Sequence, residues 1–258
     1  MPETRQFVPA PESARLWLHG GRMATHRHPR GQLIYPSRGI LSTTTESGVW
    51  ITPANRVSWT PAGFDHEHRA YGETDVRTLL LPKALSGALP DRPTVFAASP
   101  LLRAAVLRLT GPRRPAKDAA LRLRRVIVDE LLETPEQPLH LPRPRDDRLR
   151  AVTDLLHTDP ADGSSLTELG RVVGAGERTL SRLFHAELGM SFHQWRAQLR
   201  VQHALVHLMD GRSVTRTSSL CGWANTTSFI DAFTAILGQT PGRYQASLPR
   251  DGFAQPEP

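Results

Sequence analysis

Between Leu16 and Pro82 the apolar residues come in short runs rich in β-branched and aromatic side chains: GQLIYPS, GILSTTT, GVWIT, RVSWTP and VRTLLLP. Gly, Pro and Asn separate these runs at close, fairly regular spacing, which predicts the short strands of a small antiparallel barrel or sandwich. The period then becomes helical over about Pro100–Thr110 and Ala116–Glu133. In the second stretch Ala120, Leu123, Ile127 and Leu131 recur at spacings of three and four and so share one face, which Arg122, Arg124 and Arg125 leave. A face this apolar must pack against the sheet or a second subunit, and it is the basis for expecting a homodimer. Pro135, Pro138, Pro142 and Pro144 follow. Proline lacks an amide donor and restricts its predecessor, so this segment predicts an extended tether that neither continues a helix nor enters a sheet.

From Asp146 to Leu248 the period is helical throughout, and two segments share one plan. SLTELGRVVGAGERTLSRLFHAELG predicts a helix through Leu166, Leu169 and Val172, a turn at Gly174, and a helix carrying Leu180, Leu183, Phe184 and Leu188. SVTRTSSLCGWANTTSFIDAFTAILG repeats this with Val214, Thr217 and Leu220, a turn at Gly222, then Phe229, Phe233, Ile236 and Leu237. Each is a helix-turn-helix, whose second helix suits a DNA major groove. Asn225 is a good N-cap for the later helix. Between the units, SFHQWRAQLRVQHALVHLMDG predicts one long helix. The expected chain is therefore α+β with two domains. Residues 1–98 form the sheet domain, 99–134 a helical dimerisation and linking segment, and 135–145 the Pro-rich linker. Residues 146–248 form an all-α domain with two helix-turn-helix units, and 249–258 a tail.

Charge sharpens this picture by where it lies. The chain of 258 residues has a formal net charge of +7. Residues 101–150 hold 12 Lys and Arg against 7 Asp and Glu, whereas residues 151–258 hold 9 against 10. DNA binding must therefore rest on placed side chains rather than on bulk charge. The single cysteine, Cys221, excludes an internal disulfide and CxxC-type sites. No window approaches the ~20 apolar residues of a membrane span, and the N-terminus lacks the apolar core of a secretion signal. A cytoplasmic protein without membrane partners is expected.

The helical half carries a resemblance. RTLSRLF (178–184), GMSFHQWRAQLR (189–200), ALVHLMDGRSV (204–214), Gly222-Trp223, SFIDAF (228–233) and GQTPGRY (238–244) resemble, in that order, the DNA-binding domain of AraC/XylS-type transcription regulators. The resemblance implies seven helices, double-stranded DNA and RNA polymerase as partners, and two recognition helices in successive major grooves. It places Arg178, Ser181 and Arg182 at the base-facing positions of the first recognition helix, and Thr226, Thr227, Ile230 and Asp231 at those of the second, with Asn225 at its start. Arg196 and Arg200, four residues apart on the long helix, share a face and suit phosphate clamping. Departures are Gly170 and Ser218, where the family usually has alanine, and Gly176-Glu177, where it usually has Ser-Pro.

The sheet half offers histidines. His26 and His28 are two apart and point to one face of a strand, and TPAGFDH brings Pro61, Gly63 and His66 into a tight turn. Three histidines meeting inside a barrel are good ligands for a divalent metal. Gly20, His26, His28 and Gly39, then Pro61, Gly63 and His66, resemble the two motifs of the cupin fold. Gln32 replaces the usual glutamate ligand, and Asn55 and Ala70 stand where the second motif ends in Gly and Asn. Three readings stay open: a divalent metal held by His26, His28, Gln32 and His66, a metal-free small-molecule pocket on the same histidines, and purely structural histidines. His68 is expected on the surface. The function that follows is a non-enzymatic, effector-responsive transcription regulator with a cupin-like sensor. The alternative is a metal-dependent cupin oxygenase or isomerase with a DNA-tethering domain.

Overall fold

Two long strands organise the first half of the chain. The computed structural model describes residues 5–6 and 12–248, so the expected tail at 249–258 lies outside the described residues. The strands are β1 (Arg5–Gln6), β2 (Glu12–Trp17), β3 (Arg22–Arg27), β4 (Gly31–Thr45), β5 (Gly48–Pro53), β6 (Arg56–Thr60) and β7 (His66–Leu81). After the short α1 (Lys83–Ser86) come β8 (Thr94–Ala97), α2 (Pro100–Thr110), α3 (Lys117–Glu133) and β9 (His140–Pro142). β4 and β7 pair antiparallel along almost their whole length, while their outer neighbours change halfway. β4 pairs first with β6 and then with β5, and β7 first with β3 and then with β2. The expected runs GQLIYPS and GILSTTT are thus one bent strand. Pro36 falls in the gap between the β6 and β5 ladders, where a missing amide costs little. Gly39, with φ of 85°, makes the bend, and a Cβ there would overlap Thr74.

The helices cover one side of this sheet. Pro100 opens α2 behind Ser99, whose hydroxyl accepts the Leu102 amide at 3.0 Å. Ala120, Ile127 and Leu131 of α3, with Leu123 packed beside them, join Leu102, Val106 and Leu109 of α2 in one core with Leu33, Tyr35, Val57, Trp59, Leu79 and Phe96. The α3 face from which a dimer was expected is therefore used within the chain.

The Pro-rich tether is also revised. Residues 140–142 pair with Gly48–Trp50 as an edge strand, Gln137 donates to the Val95 carbonyl at 2.8 Å, and Leu139 and Leu141 are buried. Proline is tolerated at such an edge because one side of the strand needs no donor.

The second half has seven helices: α4 (Asp147–Thr158), α5 (Leu166–Val173), α6 (Glu177–Leu188), α7 (Phe192–Met209), α8 (Val214–Leu220), α9 (Thr226–Leu237) and α10 (Pro241–Ser247). The first helix-turn-helix, α5–α6, shares a core with α4 and the first half of α7, to which the sheet contributes Leu141 of β9. The second, α8–α9, is tied to the sheet more broadly. Phe229, Phe233, Leu237 and Tyr244 share one core with Val201, Leu205 and Leu208 of α7 and with Ile40, Trp50, Ile51, Val95 and Leu139 of the sheet domain.

Candidate functional site

In the first unit Ser165 and Glu168 form a reciprocal capping box at the start of α5, and Gly174, left-handed at φ 68°, ends it. Gly170 has a steric reason, since a Cβ would overlap the Ala175 carbonyl in the turn. Gly176 offers α6 no side-chain cap, and Glu177 sits in the first turn holding the Thr167 hydroxyl. Along α6, Leu180, Phe184 and Leu188 are buried, which turns Arg178 and Arg182 outward and exposed with Ser181 partly exposed between them. Neither arginine has a carboxylate within 4.0 Å among the described residues.

In the second unit the Asn225 side-chain oxygen accepts the Ser228 amide at 2.8 Å, so that oxygen caps α9. Phe229, Phe233 and Leu237 point inward, leaving Thr227 and Asp231 exposed and Thr226 and Ile230 partly so. The far end of α9 is held by the sheet domain. Arg56 of β6 is buried and donates to the Leu237 carbonyl at 2.9 Å and to the Asn55 carbonyl at 3.1 Å. A cation at a helix C-terminus is favourably placed against the helix dipole.

The two expected phosphate clamps are occupied inside the fold. Arg200 is only 8% exposed and donates to the Pro160 carbonyl at 2.9 Å and the Asp162 carbonyl at 2.8 Å. Arg196 is half-buried, donates to the Ser164 carbonyl, and lies over the Phe192 ring at 4.2 Å. Both fasten the α4–α5 loop to α7. The i, i+4 spacing placed them correctly on one face, but that face meets the loop rather than solvent. Cys221 is buried, and burial pushes its thiol up to about 11.

Inside the sheet, the rings of His26, His28 and His66 are neighbours, but the ligand atoms that converge are those of His26, His66 and His68, while Gln32 bonds to His68. His26 and His66 are register partners on β3 and β7, with ring centroids 4.3 Å apart, and His28 lies 4.9 Å from His66. His68 joins them, contrary to the surface position expected. It is 3% exposed, its ring is 5.0 Å from that of His66, its Nε2 donates to Gln32 Oε1 at 3.1 Å, and the Thr43 hydroxyl meets its Nδ1 at 3.1 Å. The signal was present in the sequence: His66 and His68 are spaced like His26 and His28 and so share the inward face. Ligand atoms of His26, His66 and His68 lie within 4.8 Å of one another.

Backbone carbonyls set the tautomers. Nδ1 of His26 donates to Ala24 at 2.9 Å, that of His66 to Phe64 at 2.8 Å, and that of His28 to Arg30. This leaves the lone pair on Nε2, and the Nε2 atom of His66 is buried without a hydrogen-bond partner among the described residues. Burial, assisted by the neighbouring imidazoles, pushes His66 down to about 3 and lowers His28 and His68. The cavity beside Gln32 and His68 has about 20 Å³, which is water-sized. Tyr35, Trp50 and Trp59 belong to the cores.

A family model described as a helix-turn-helix domain matches residues 169–247. The chain is similar to the HTH-type transcriptional regulator NimR of Escherichia coli K12, 34% identical over 226 residues that cover 86% of this chain and 82% of NimR. It is also similar to the HTH-type transcriptional regulator RipA of Corynebacterium glutamicum, 38% identical over 110 residues that cover 43% of this chain and 32% of RipA. Among solved structures, ToxT from Vibrio cholerae aligns over 93% of this chain and 99% of its own, at 9% identity and a TM-score of 0.41.

Proposed function

The chain belongs to the AraC-type helix-turn-helix transcription regulators, DNA-binding proteins rather than enzymes, and on that footing we propose how it reads DNA and what it senses. The first recognition helix, α6, contacts bases through Arg178, Ser181 and Arg182, and the second, α9, through Thr226, Thr227, Ile230 and Asp231. The observation that carries this is the exposure of Arg178 and Arg182 opposite a fully buried apolar face, with no carboxylate among the described residues occupying either. An arginine in a major groove bridges guanine O6 and N7, worth about 1–3 kcal/mol of discrimination. Asp231 accepts from cytosine N4 and repels phosphate, so α9 is the electrostatically weaker reader.

The sensing half of the reading rests on the histidine cluster. The buried Nε2 of His66, with ligand atoms of His26 and His68 within 4.8 Å, fits a divalent metal, and a bound ion would cross-link β3 to β7. Gln32 holds His68 instead of supplying a carboxylate, which keeps the site free of negative charge and the ion loosely held. The sheet domain reaches the second recognition helix through Arg56 and the shared core, so a change in the sheet alters how α9 sits relative to α6. RNA polymerase and a second copy of the chain complete the set of partners. The exposed Leu121 and Leu132 of α3 are the outward apolar positions available to that copy.

Selection of duplexes from a random pool with the full chain, followed by R178A and R182A, tests the reading of DNA. The expected result is a relaxed preference at one base pair for each variant. Weakening that is uniform across sequences would assign the arginines to phosphate, and unchanged binding would remove them from the interface. Metal analysis after loading with zinc or iron tests sensing: one ion per chain in the wild type and none in H26A/H66A. Equal metal in both overturns the metal site.

A further inference from the structure

Each recognition helix is held at its C-terminal end from outside its own helix-turn-helix unit. In the last turn of α6, Oε2 of Glu187 accepts the backbone amides of Arg145 at 2.6 Å and Asp146 at 3.2 Å. The dipole of α6 disfavours a carboxylate at that end, whereas the dipole of α4, whose N-cap is Asp146, favours one. Glu187 is thus placed for the segment it holds rather than for its own helix. At α9 the converse applies. Its last turn has no basic residue, and the Leu237 carbonyl takes its cation, Arg56, from the sheet.

Both holds lead back to one short stretch of the sheet domain. The Ile51 amide donates to the Leu139 carbonyl at 3.0 Å, residues 140–142 pair with Gly48–Trp50, and the Arg143 amide donates to the Ser47 carbonyl at 3.1 Å. Pro142 and Pro144, each with φ fixed at about −65°, leave little slack before Arg145. Leu141 of β9 also enters the core of α6 beside Leu180, Phe184 and Leu188. β5 ends at Pro53 and β6 begins at Arg56. Residues 47–56 therefore reach the end of α6 through β9 and Glu187, and the end of α9 directly through Arg56. The two units are also joined by α7, which packs its first half in one core and its second half in the other.

We infer that Glu187 and Arg56 are positioning residues that fix the separation of the two recognition helices, so that the sheet domain, and not α7 alone, sets the spacing of the DNA subsites the chain accepts. The inference rests on the reading of α6 and α9 as the two base readers. Two helices that enter successive grooves must match the helical repeat of DNA, and a misplaced reader loses its contacts however well its side chains suit the bases. Glu187 holds α6 by charge-assisted hydrogen bonds, the stronger kind, and its loss frees α6 to shift against a sheet that still holds α9. Loss of Arg56 does the reverse.

The test uses the full chain with the duplex obtained by selection from a random pool, beside the same duplex with one base pair inserted between the α6 and α9 subsites. The insertion moves one subsite by about 3.4 Å. By fluorescence anisotropy the wild type should bind the lengthened duplex at least about tenfold more weakly. Glu187→Ala and, separately, Arg56→Met should cut that penalty to about threefold or less. Both should keep the base preference that depends on Arg178 and Arg182, which reports that they are folded. Glu187→Gln, whose amide oxygen still accepts both backbone amides, should keep the wild-type penalty. A wild type that binds both duplexes equally overturns the inference, and so does a full penalty in both loss variants, which would leave α7 alone to set the spacing. Affinity lost by the same factor on both duplexes marks a structural role only and overturns it too. Failure of the base-reading assignment shows elsewhere, as an unchanged base preference in R178A and R182A, so the two fall separately.

Discussion

Replacing Arg200 with alanine separates two roles that its position on α7 allows. A phosphate clamp would leave the fold intact and remove one counterion from the DNA complex, lowering the salt dependence of binding by about one unit of log–log slope. The structure predicts the opposite result. The Arg200 guanidinium is buried between α7 and the α4–α5 loop and bonded to two carbonyls, Pro160 and Asp162. Its removal leaves both without their donor, at about 1–3 kcal/mol for each carbonyl that water does not reach. It also takes away the stem packing and the contact over the Trp223 ring at 5.9 Å. Because the loop is near the surface and water re-solvates part of the gap, the net loss is placed at about 2–4 kcal/mol. That is a large share of the roughly 5–15 kcal/mol by which a domain is stable. Urea denaturation of wild type and R200A gives the first quantity, and operator binding from about 50 to 200 mM salt gives the second. An R200A protein within about 0.5 kcal/mol of wild-type stability, with the salt slope reduced by one, would refute the structural role.

Three further outcomes follow from the packing and the titrations. A fragment of residues 146–248 loses the sheet side of the core shared by Phe233, Leu205 and Tyr244 with Trp50 and Ile51. It should melt several degrees below the full chain, and an equal or higher Tm by calorimetry would refute the shared core. Gly170→Ala gains about 1 kcal/mol of helix propensity but pushes a Cβ onto the Ala175 carbonyl. A lower Tm is expected, and a higher one would show that the turn yields. Burial holds His140 and His203 down to about 4. Both stay neutral in the folded chain and take up protons in the unfolded one below about 6.5. Their contribution is therefore complete above pH 6.5 and lost progressively as pH falls toward 4. His203→Gln should flatten the fall in urea midpoint across that window, and an unchanged profile would exclude His203 as its source.

Periodicity located α2, α3, the two helices of each helix-turn-helix and the long helix between the units, because each buries one face against its own neighbours and local spacing reports that directly, while the count of seven helices came with the family resemblance. The duplicated unit was legible for the same reason, and so were the outward positions of Arg178 and Arg182. His68 was legible by the rule already used for His26 and His28, since i, i+2 spacing on a strand is local information. The burial of Arg200 was not legible, because a helix face says only which way a side chain points. Whether solvent or a loop from forty residues earlier waits there is a tertiary fact.

The sequence by itself determined two domains, a duplicated helix-turn-helix, an antiparallel sheet half and three inward histidines, all through short-range pattern. Only the tertiary structure decided that the Pro-rich segment is an edge strand, that the α3 face is spent within the chain, and that the second recognition helix shares its core with the sheet. It also decided that the Glu187 carboxylate meets the Arg145 amide, 42 positions earlier in the chain. These depend on which surfaces meet after the chain has turned back on itself. Long-range pairing of that kind leaves no period in the sequence, because burial fixes that a residue is covered and not by what.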